Sequence, residues 1–527
     1  MDSANPPAAP SKGGLDETLA RIGATYDALP YDTRPYSRSS PARLAAIASL
    51  FGIEPPPPMQ EARVLELGCG AGGNLIPHAA RCPEGQFLGI DLGRVQVEAG
   101  QARIARAGLT NVEIRQGSIT DLPDDLGQFD YVIAHGVYSW VPAEVRQALL
   151  AAARRLLAPK GIAFMSYNVY PGWRMFQPLR DAFRLMIPEH LAPVDRVAMG
   201  RELMAFFGQH SLQTAPYSQL LREAPQRLAD SPDDYVFHEF MEHTNDPCTF
   251  TDFVSAAADH GLAYLAESEL ETMFPESFTP QAARFMRERT NNDLVSLEQL
   301  IDVLSGRTFR QTLLIAAECF GEVQRNLTSA RMEGLHFVGF SGSRVVAEPD
   351  AISLVEGRGR QLRSTVPAIR PALERLVNRF PASISFAECA GTLLGPERAA
   401  LTDALYQMAI SGMLDIVDRP IAASRGGARP RATALARSDV AAGHANTTNL
   451  RHEGVQVDPI AMAVIPALDG QTGRRDLERH LLAQAESGKI VFNRGGVRVT
   501  GAGLRQAVTE QLPHILEGIG ASGLLEA

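Results

Sequence analysis

Short apolar runs recur along the first part of the chain, each closed by a turn and followed by residues at helical spacing. Arg63–Leu67, Gln86–Ile90, Val112–Arg115, Phe129–His135 and Ile162–Tyr167 read as five strands. The nearly continuous apolar run at Phe129–His135 suits a strand covered on both faces. Between the fourth and fifth strands, Val145, Leu149, Ala152, Ala153 and Leu156 share one side of a helix over Pro142–Leu157. Lys160-Gly161 then turns into strand five. Strands alternating with helices predict an α/β fold, a parallel sheet with helices on both faces.

The pattern changes after Trp173. Phe176–Ile187 and Asp195–Phe207 are long helical segments, placed as an insertion (174–234) that covers a substrate cleft or forms an oligomer contact. The α/β alternation then returns. Phe250–His260 is a helix capped by Thr249 or Thr251 and ended by Gly261. Leu262–Leu265 is a strand, Leu297–Leu304 a helix and Phe309–Ala316 the last strand.

From about residue 321 a third pattern begins. A strand at Leu335–Phe340, a helix at Ala368–Arg379, and a helix pair, Phe386–Leu394 and Glu397–Ser411, lead into a strand at Met413–Val417. That order resembles a winged helix. Ser424–Asn446, rich in Ala, Arg, Gly and Ser, reads as a flexible linker. A terminal unit follows, with helices over Pro459–Leu468, Arg475–Glu486 and Gly503–Gly518. Its hairpin, Ile490–Phe492 with Val497–Thr500, turns at Asn493-Arg494-Gly495-Gly496 like a wing. The expected plan is a disordered tail (1–15), an N-terminal cap (16–60), a sheet domain (61–320), a middle domain (321–423), the linker (424–446) and a C-terminal winged-helix-like domain (447–527).

Composition narrows the function. A chain of 527 residues exceeds one core, so several domains are expected. The net charge of −10 argues against nonspecific binding to nucleic acid or anionic membranes, so the winged units are expected to bind protein or to pack on the sheet domain. The cysteines at 69, 82, 248, 319 and 389 are scattered and form no CxxC, which suggests neither a disulfide framework nor a metal site. A cytoplasmic location is the simple reading. The first residues lack the basic and apolar regions of a secretory signal, and no run approaches the ~18 apolar residues of a membrane span.

The chemistry begins at Val64–Leu75, where a buried strand runs into a glycine turn and a helix. Gly68, Gly70 and Gly73 satisfy G-x-G-x-x-G, and Asp91 ends the next strand, placed to accept hydrogen bonds from both hydroxyls of a ribose. The layout holds an adenosine group. A nicotinamide or flavin dinucleotide and S-adenosylmethionine both fit the glycines. Glu66 separates them: its carboxylate repels a pyrophosphate but suits a ligand carrying a sulfonium and an ammonium. Packing alone is a poor account of four glycines in six residues, since each costs backbone entropy. The loop Gln116–Ile119 lies beside the adenine in such a fold.

A polar motif, His135-Gly136-Val137-Tyr138-Ser139-Trp140-Val141-Pro142, follows strand four, at the carboxyl end where open α/β sheets bind ligands. Ser166-Tyr167-Asn168-Val169-Tyr170-Pro171-Gly172-Trp173 follows strand five, and both tryptophans of the chain fall in these two clusters. Aromatics gathered at strand ends line a cavity or plug the base of the insertion. Tyr235, His238, Glu239 and Glu242 share one helical face, as a site or as a solvated face with ion pairs.

Taken with Tyr26-Asp27 and Pro35-Tyr36, these motifs resemble the bacterial class I methyltransferases that carry a methyltransferase regulatory domain, a group including rickettsial protein lysine methyltransferases. The likeness runs from about residue 20 to the end and weakens in the C-terminal third. It implies a Rossmann-like donor domain, a helical dimerisation insertion with a regulatory-type segment at about 225–310, a middle domain and a winged-helix-like C-terminal domain. It does not fix the acceptor.

S-adenosyl-L-methionine is the expected cofactor. Expected donor contacts are Glu66, Gly68, Cys69, Gly70, Gly73, Asn74, Asp91, Leu92, Ser118, Ile119 and His135. Expected catalytic residues are His135 as the first general-base candidate, Glu239 as the next, and Tyr138, Tyr167 and Asn168. Tyr138, Trp140, Tyr167 and Trp173 are expected to line a pocket that desolvates a lysine amine and favours its neutral form. A small-molecule N- or O-methyltransferase and a donor-binding regulator without turnover are the alternatives. Expected partners are a protein or small-molecule acceptor and a second copy of the chain.

Overall fold

The computed structural model describes residues 12–212, 216–495 and 497–527. The expected tail through residue 11 and Gly496 of the expected hairpin turn lie outside them. Residues 12–15, also expected in the tail, open helix α1 (Lys12–Ala28) instead.

Seven strands make one sheet: β1 (Arg63–Leu67), β2 (Gln86–Asp91), β3 (Val112–Gln116), β4 (Phe129–Ala134), β5 (Leu157–Asn168), β6 (Leu262–Glu267) and β7 (Phe309–Ala316). Their spatial order is β3-β2-β1-β4-β5-β7-β6. Neighbours from β3 to β5 pair in parallel, and β7 lies antiparallel between β5 and β6. The strand order reverses between β1 and β4, so the chain leaves these two strands in opposite directions and opens a crevice at their carboxyl ends. Strand β5 begins at Leu157 and not at Ile162, because Leu157 pairs with Phe129 before a register shift. Lys160-Gly161 is therefore inside the strand.

Alternate side chains feed two cores. Val64, Tyr131, Ile133 and Phe164 pack with Leu44, Ile47 and Leu50 of α2 (Pro41–Leu50) on one face. Leu65, Val132, Ala163 and Met165 pack with Leu149 of α5 (Ala143–Leu156) and Phe253 on the other. Helices α3 (Ile76–Arg81) and α4 (Arg94–Ala107) follow β1 and β2. The insertion holds α6 (Gln177–Met186), α7 (Pro193–His210) and α8 (Pro216–Leu228), with α9 (Asp233–Phe240) returning to the sheet. Helix α10 (Phe250–Asp259) is capped by Thr249, whose side chain accepts from Asp252 N–H. Helices α11 (Pro280–Thr290) and α12 (Leu294–Ser305) precede β7. Arg310 of β7 is fully buried among Glu267, Asp302 and Glu298, at 2.7, 2.8 and 3.1 Å.

The segment 424–446 is not a linker. It contains a helix, Ala434–Ala441, capped by Thr433, with Ala432, Leu435, Ala436 and Val440 buried. Buried Asp439 receives Arg103 of α4 at 2.7 Å. Alanine-rich composition, read as flexible, is also the strongest helix former, and this helix finds a surface to bury against. The structure also adds a three-stranded meander, Arg344–Ala347, Ile352–Val355 and Gln361–Ser364, which the sequence pattern did not signal.

Candidate functional site

Strand β1 delivers Glu66 to the crevice and then turns sharply. Gly68, Gly70 and Gly72 have φ of +75°, +52° and +71°, where a Cβ is strained. A Cβ on Gly70 would lie 2.3 Å from Thr33 Cγ2, and one on Gly73 2.1 Å from Thr33 O. These two glycines thus admit the loop between α1 and α2. Gly73 lines neither cavity described below, a correction to its expected donor contact. The reason is steric: Thr33 occupies the approach to it.

Asp91 ends β2. Its Oδ2 accepts from Gly70 N–H at 2.7 Å and its Oδ1 from Gly93 N–H at 2.8 Å. It therefore holds the turn as well as facing the cavity. Glu66 is 3% exposed; its Oε1 accepts from Asn74 Nδ2 at 2.9 Å, while its buried Oε2 has no partner among the described residues. Burial pushes the Glu66 carboxyl up to about 8, with Asn74 opposing. A buried carboxylate oxygen without a protein partner beside the glycine turn is available to a cationic group of a ligand.

Two cavities meet here. The larger, about 560 Å³, is lined by Glu66, Gly68, Cys69, Gly70, Asn74, Asp91, His135, Asn168 and Glu239, among others. The smaller, about 120 Å³, is lined by Leu92, Ser118 and Ile119 with apolar residues of α1. Tyr26, Gly68, Asp91, Gly136 and Trp140 border both. The small, mainly apolar chamber could take an adenine, with Asp91 on the border between it and the larger chamber.

The far end of the larger cavity is built by β5 and α9. Glu239 Oε1 accepts from Trp173 Nε1 at 2.9 Å and from Asn168 Nδ2 at 3.0 Å. Asn245 Nδ2 adds a third contact at 3.3 Å. No donor among the described residues reaches Oε2. Burial raises the Glu239 pKa, and the bonds from Trp173, Asn168 and Asn245 oppose the rise. Aromatic rings of Trp173, Phe176, Tyr31 and Tyr235 complete this end.

His135 stacks on Tyr36 at 3.9 Å, and its Nδ1 lies 2.9 Å from Ser166 Oγ. Ser166 Oγ already accepts from Gly136 N–H at 2.8 Å. Among the described contacts its hydroxyl proton has one acceptor, His135 Nδ1, which places the ring proton on Nε2. Burial lowers the His135 pKa to about 4. The ring is thus a neutral Nε2–H donor, an arrangement that favours orientation over proton abstraction and leaves Glu239 as the better base candidate.

Two expected pocket residues lie elsewhere. Tyr138 packs edge-on against Phe253 at 5.1 Å, and Tyr167 stacks on Phe253 at 4.0 Å with its hydroxyl 3.0 Å from Thr312 Oγ1. Both are buried in the core beneath the cavity and line neither chamber. Side chains alternate across a strand, so Tyr167 points into the α10 face while neighbouring Asn168 reaches the cavity. The cap adds cavity residues that the sequence reading did not place there: Tyr31 and Thr33, and also Tyr26 and Tyr36, which had entered only through the family resemblance. Their signal was the run of tyrosines before the first strand. Tyr26 stacks on His238 at 4.4 Å, and His238 Nε2 donates to Leu29 O at 2.8 Å, so α9 clamps the cap over the cavity.

With this geometry, the comparisons with known proteins agree. Residues 64–161 match the "Methyltransferase domain" family, 232–316 the "Predicted methyltransferase regulatory domain", and 428–524 the "PKMT, C-terminal winged helix domain". Protein RP028 of Rickettsia prowazekii is 38% identical over 235 residues, 44% of this chain and 93% of that protein. The chain belongs to the class I methyltransferases with a methyltransferase regulatory domain. Protein RP789 of the same organism is 29% identical over 494 residues, 90% of this chain and 88% of that protein. The structure of PKMT2 from Rickettsia typhi superposes with a TM-score of 0.83 at 26% identity, covering 94% of this chain and all of that one. Its complex with AdoHcy gives 0.82 at 27%, with the same coverage. This methyltransferase uses S-adenosylmethionine, and Glu66, Asp91 and the apolar slot fit that donor. No helix among the described residues is long and apolar enough to cross a membrane.

Proposed function

We propose that this methyltransferase modifies lysine side chains of a protein substrate. The observation that carries the reading is Glu239, a buried carboxylate held on one oxygen by Trp173, Asn168 and Asn245 at the aromatic end of the donor cavity. The donor supplies a methyl group on a sulfonium. What this chain must do is align the nucleophile and remove its charge. Glu239 Oε2 accepts the proton of an entering ammonium, and the rings of Trp173 and Phe176 desolvate the amine that results. Aromatic faces then attract the methylammonium product. The likeness to PKMT2 over nearly the whole chain supports the same substrate class.

The insertion supports a homodimer. Leu185, Val194, Phe206, Leu212 and Tyr217 of α6, α7 and the following residues are all exposed, an apolar grouping that invites a partner surface. The divisions at about residues 60, 320 and 424, with a middle domain between, remain our reading of the domain plan; the location we infer is the cytoplasm.

Incubation with labelled S-adenosylmethionine and lysate of the source cells, followed by mass spectrometry, tests the function. Label on protein lysines is expected. Label confined to small molecules would replace this reading with small-molecule transfer, and absence of any S-adenosylhomocysteine formation would make the protein a donor-binding regulator. The chain holds only Lys12, Lys160 and Lys489, so self-labelling is readily separated.

A further inference from the structure

His452 belongs to the C-terminal winged-helix unit yet reaches the donor site. It is buried, it adopts a left-handed backbone conformation with φ of +61°, and its ring stacks on His78 of α3 at 3.6 Å. Arg81 Nη2 lies 2.9 Å from His452 Nδ1. A guanidinium only donates, so Nδ1 is the acceptor and the ring proton sits on Nε2. Nε2 then donates to Asn74 Oδ1 at 2.8 Å. Tyr36 N–H donates to the same oxygen at 2.9 Å. Two donors on Oδ1 fix which way the Asn74 amide faces. Its Nδ2 is thereby turned to Glu66 Oε1 at 2.9 Å and to Ser39 Oγ at 3.1 Å. Oε2 of Glu66 is left without a partner among the described residues.

We infer that His452 is a positioning residue for donor binding: through Asn74 it sets the Glu66 carboxylate that receives the donor's ammonium, so donor affinity depends on the seating of the C-terminal unit. The inference rests on the assignment of Glu66 to that ammonium. The links from His452 through Asn74 to Glu66 are buried hydrogen bonds, and removing His452 takes away one of the two close donors that hold the Asn74 carbonyl away from Glu66, the Tyr36 N–H being the other. A carbonyl facing a carboxylate repels it, and the Glu66 side chain moves or keeps its proton. The unit is anchored for this task independently, by Arg103 on Asp439 at 2.7 Å and by Arg81 Nη1 on Leu450 O at 2.6 Å.

The test uses two ligands and the full chain. S-adenosylhomocysteine carries the ammonium; 5′-methylthioadenosine has the adenosine and sulfur but no amino acid. Calorimetry of folded His452→Phe, which keeps a stacking ring but no hydrogen bond, is expected to show about tenfold weaker S-adenosylhomocysteine binding. Methylthioadenosine binding should stay within about twofold. His452→Gln, which can accept from Arg81 and donate to Asn74, is expected to restore the wild-type ratio. His452→Leu serves as a second truncation if the Phe variant does not fold. Equal weakening of both ligands, or no weakening of either, would overturn the inference. Glu66→Gln run alongside separates the causes. If it lowers the ratio and the His452 truncations do not, the relay is wrong. If Glu66→Gln leaves the ratio unchanged, Glu66 does not meet the ammonium and the premise is wrong.

Discussion

Glu66 offers a test at the level of one proton. Its carboxyl is raised to about 8 by burial, against an ordinary value of 4.5. Between those values the folded chain keeps the proton while the unfolded chain loses it, so stability falls as pH rises through this window. Glu66→Gln removes the effect. The ligand-free variant is expected to melt above wild type at pH 8, with the gap closing toward pH 4, by calorimetric scans; equal melting curves at pH 8 would refute the buried carboxyl. Affinity of the wild type for S-adenosylhomocysteine should rise from pH 6 to 8 as Glu66 ionises, and that of the variant should not. At the acceptor end, Glu239→Gln should depress single-turnover rate about 10²-fold, as loss of a general base does. Asn168→Ala should also slow turnover, and both should leave donor affinity nearly intact. Tyr138→Phe should keep wild-type turnover, because that ring is core. A slow Tyr138→Phe beside a normal Glu239→Gln would reverse these assignments.

Elements are coupled by close approach and by buried charge. Gly73 lets the cap loop lie against the glycine turn, and a Cβ there meets the Thr33 carbonyl, part of the backbone, at 2.1 Å. Gly73→Ala is expected to cost roughly 1–3 kcal/mol, as overpacking does, and to weaken donor binding by lifting the cap. An unchanged denaturation midpoint would show that the loop yields freely. Strands β6 and β7 and helix α12 are joined by Arg310, which meets three carboxylates with no exposure. Arg310→Met leaves buried Glu267 without its cation, while Asp302 and Glu298 keep only Arg307, at 3.2 and 4.0 Å. Breaking such a group costs about 3–5 kcal/mol, which urea denaturation would measure. Strand existence was legible from apolar runs, and β1 and β7 match their expected bounds. The start of β5 was not, since its first residues pair across a register shift that no local pattern encodes.

For the whole molecule, the insertion presents Leu185 at 85% exposure and Leu212 at 72%. If these bury a second copy, Leu185→Glu with Phe206→Glu should convert a dimer to a monomer by light scattering without lowering the melting point of the sheet domain. A wild-type monomer would remove the dimer from the proposal. The winged-helix unit is joined to the sheet domain through Arg103, Arg81 and His452, not tethered by a flexible segment. Packing on the sheet domain was one of the two expected roles of this unit; the linker reading failed because it judged residues by average composition, while Asp439 and His452 are polar residues buried by specific partners.

The sequence by itself determined the donor end of this enzyme. A strand, a glycine turn and an acidic strand end lie close along the chain, so spacing alone brings Glu66, Gly68, Gly70 and Asp91 together. It also singled out Asn168, Trp173 and Glu239 by residue type, and the structure brings the three together on one cavity. Only the tertiary structure decided which aromatics face the cavity. Tyr167 and Asn168 are adjacent, and the pleat sends one to the core and the other to the site. It alone decided that the cap supplies a wall, that the Ser166 hydroxyl makes His135 a donor, and that His452 stands behind Glu66. Those contacts join residues as far apart as 74 and 452, and a hydrogen bond over that separation depends on how the domains pack, which no local pattern of apolar and polar positions records.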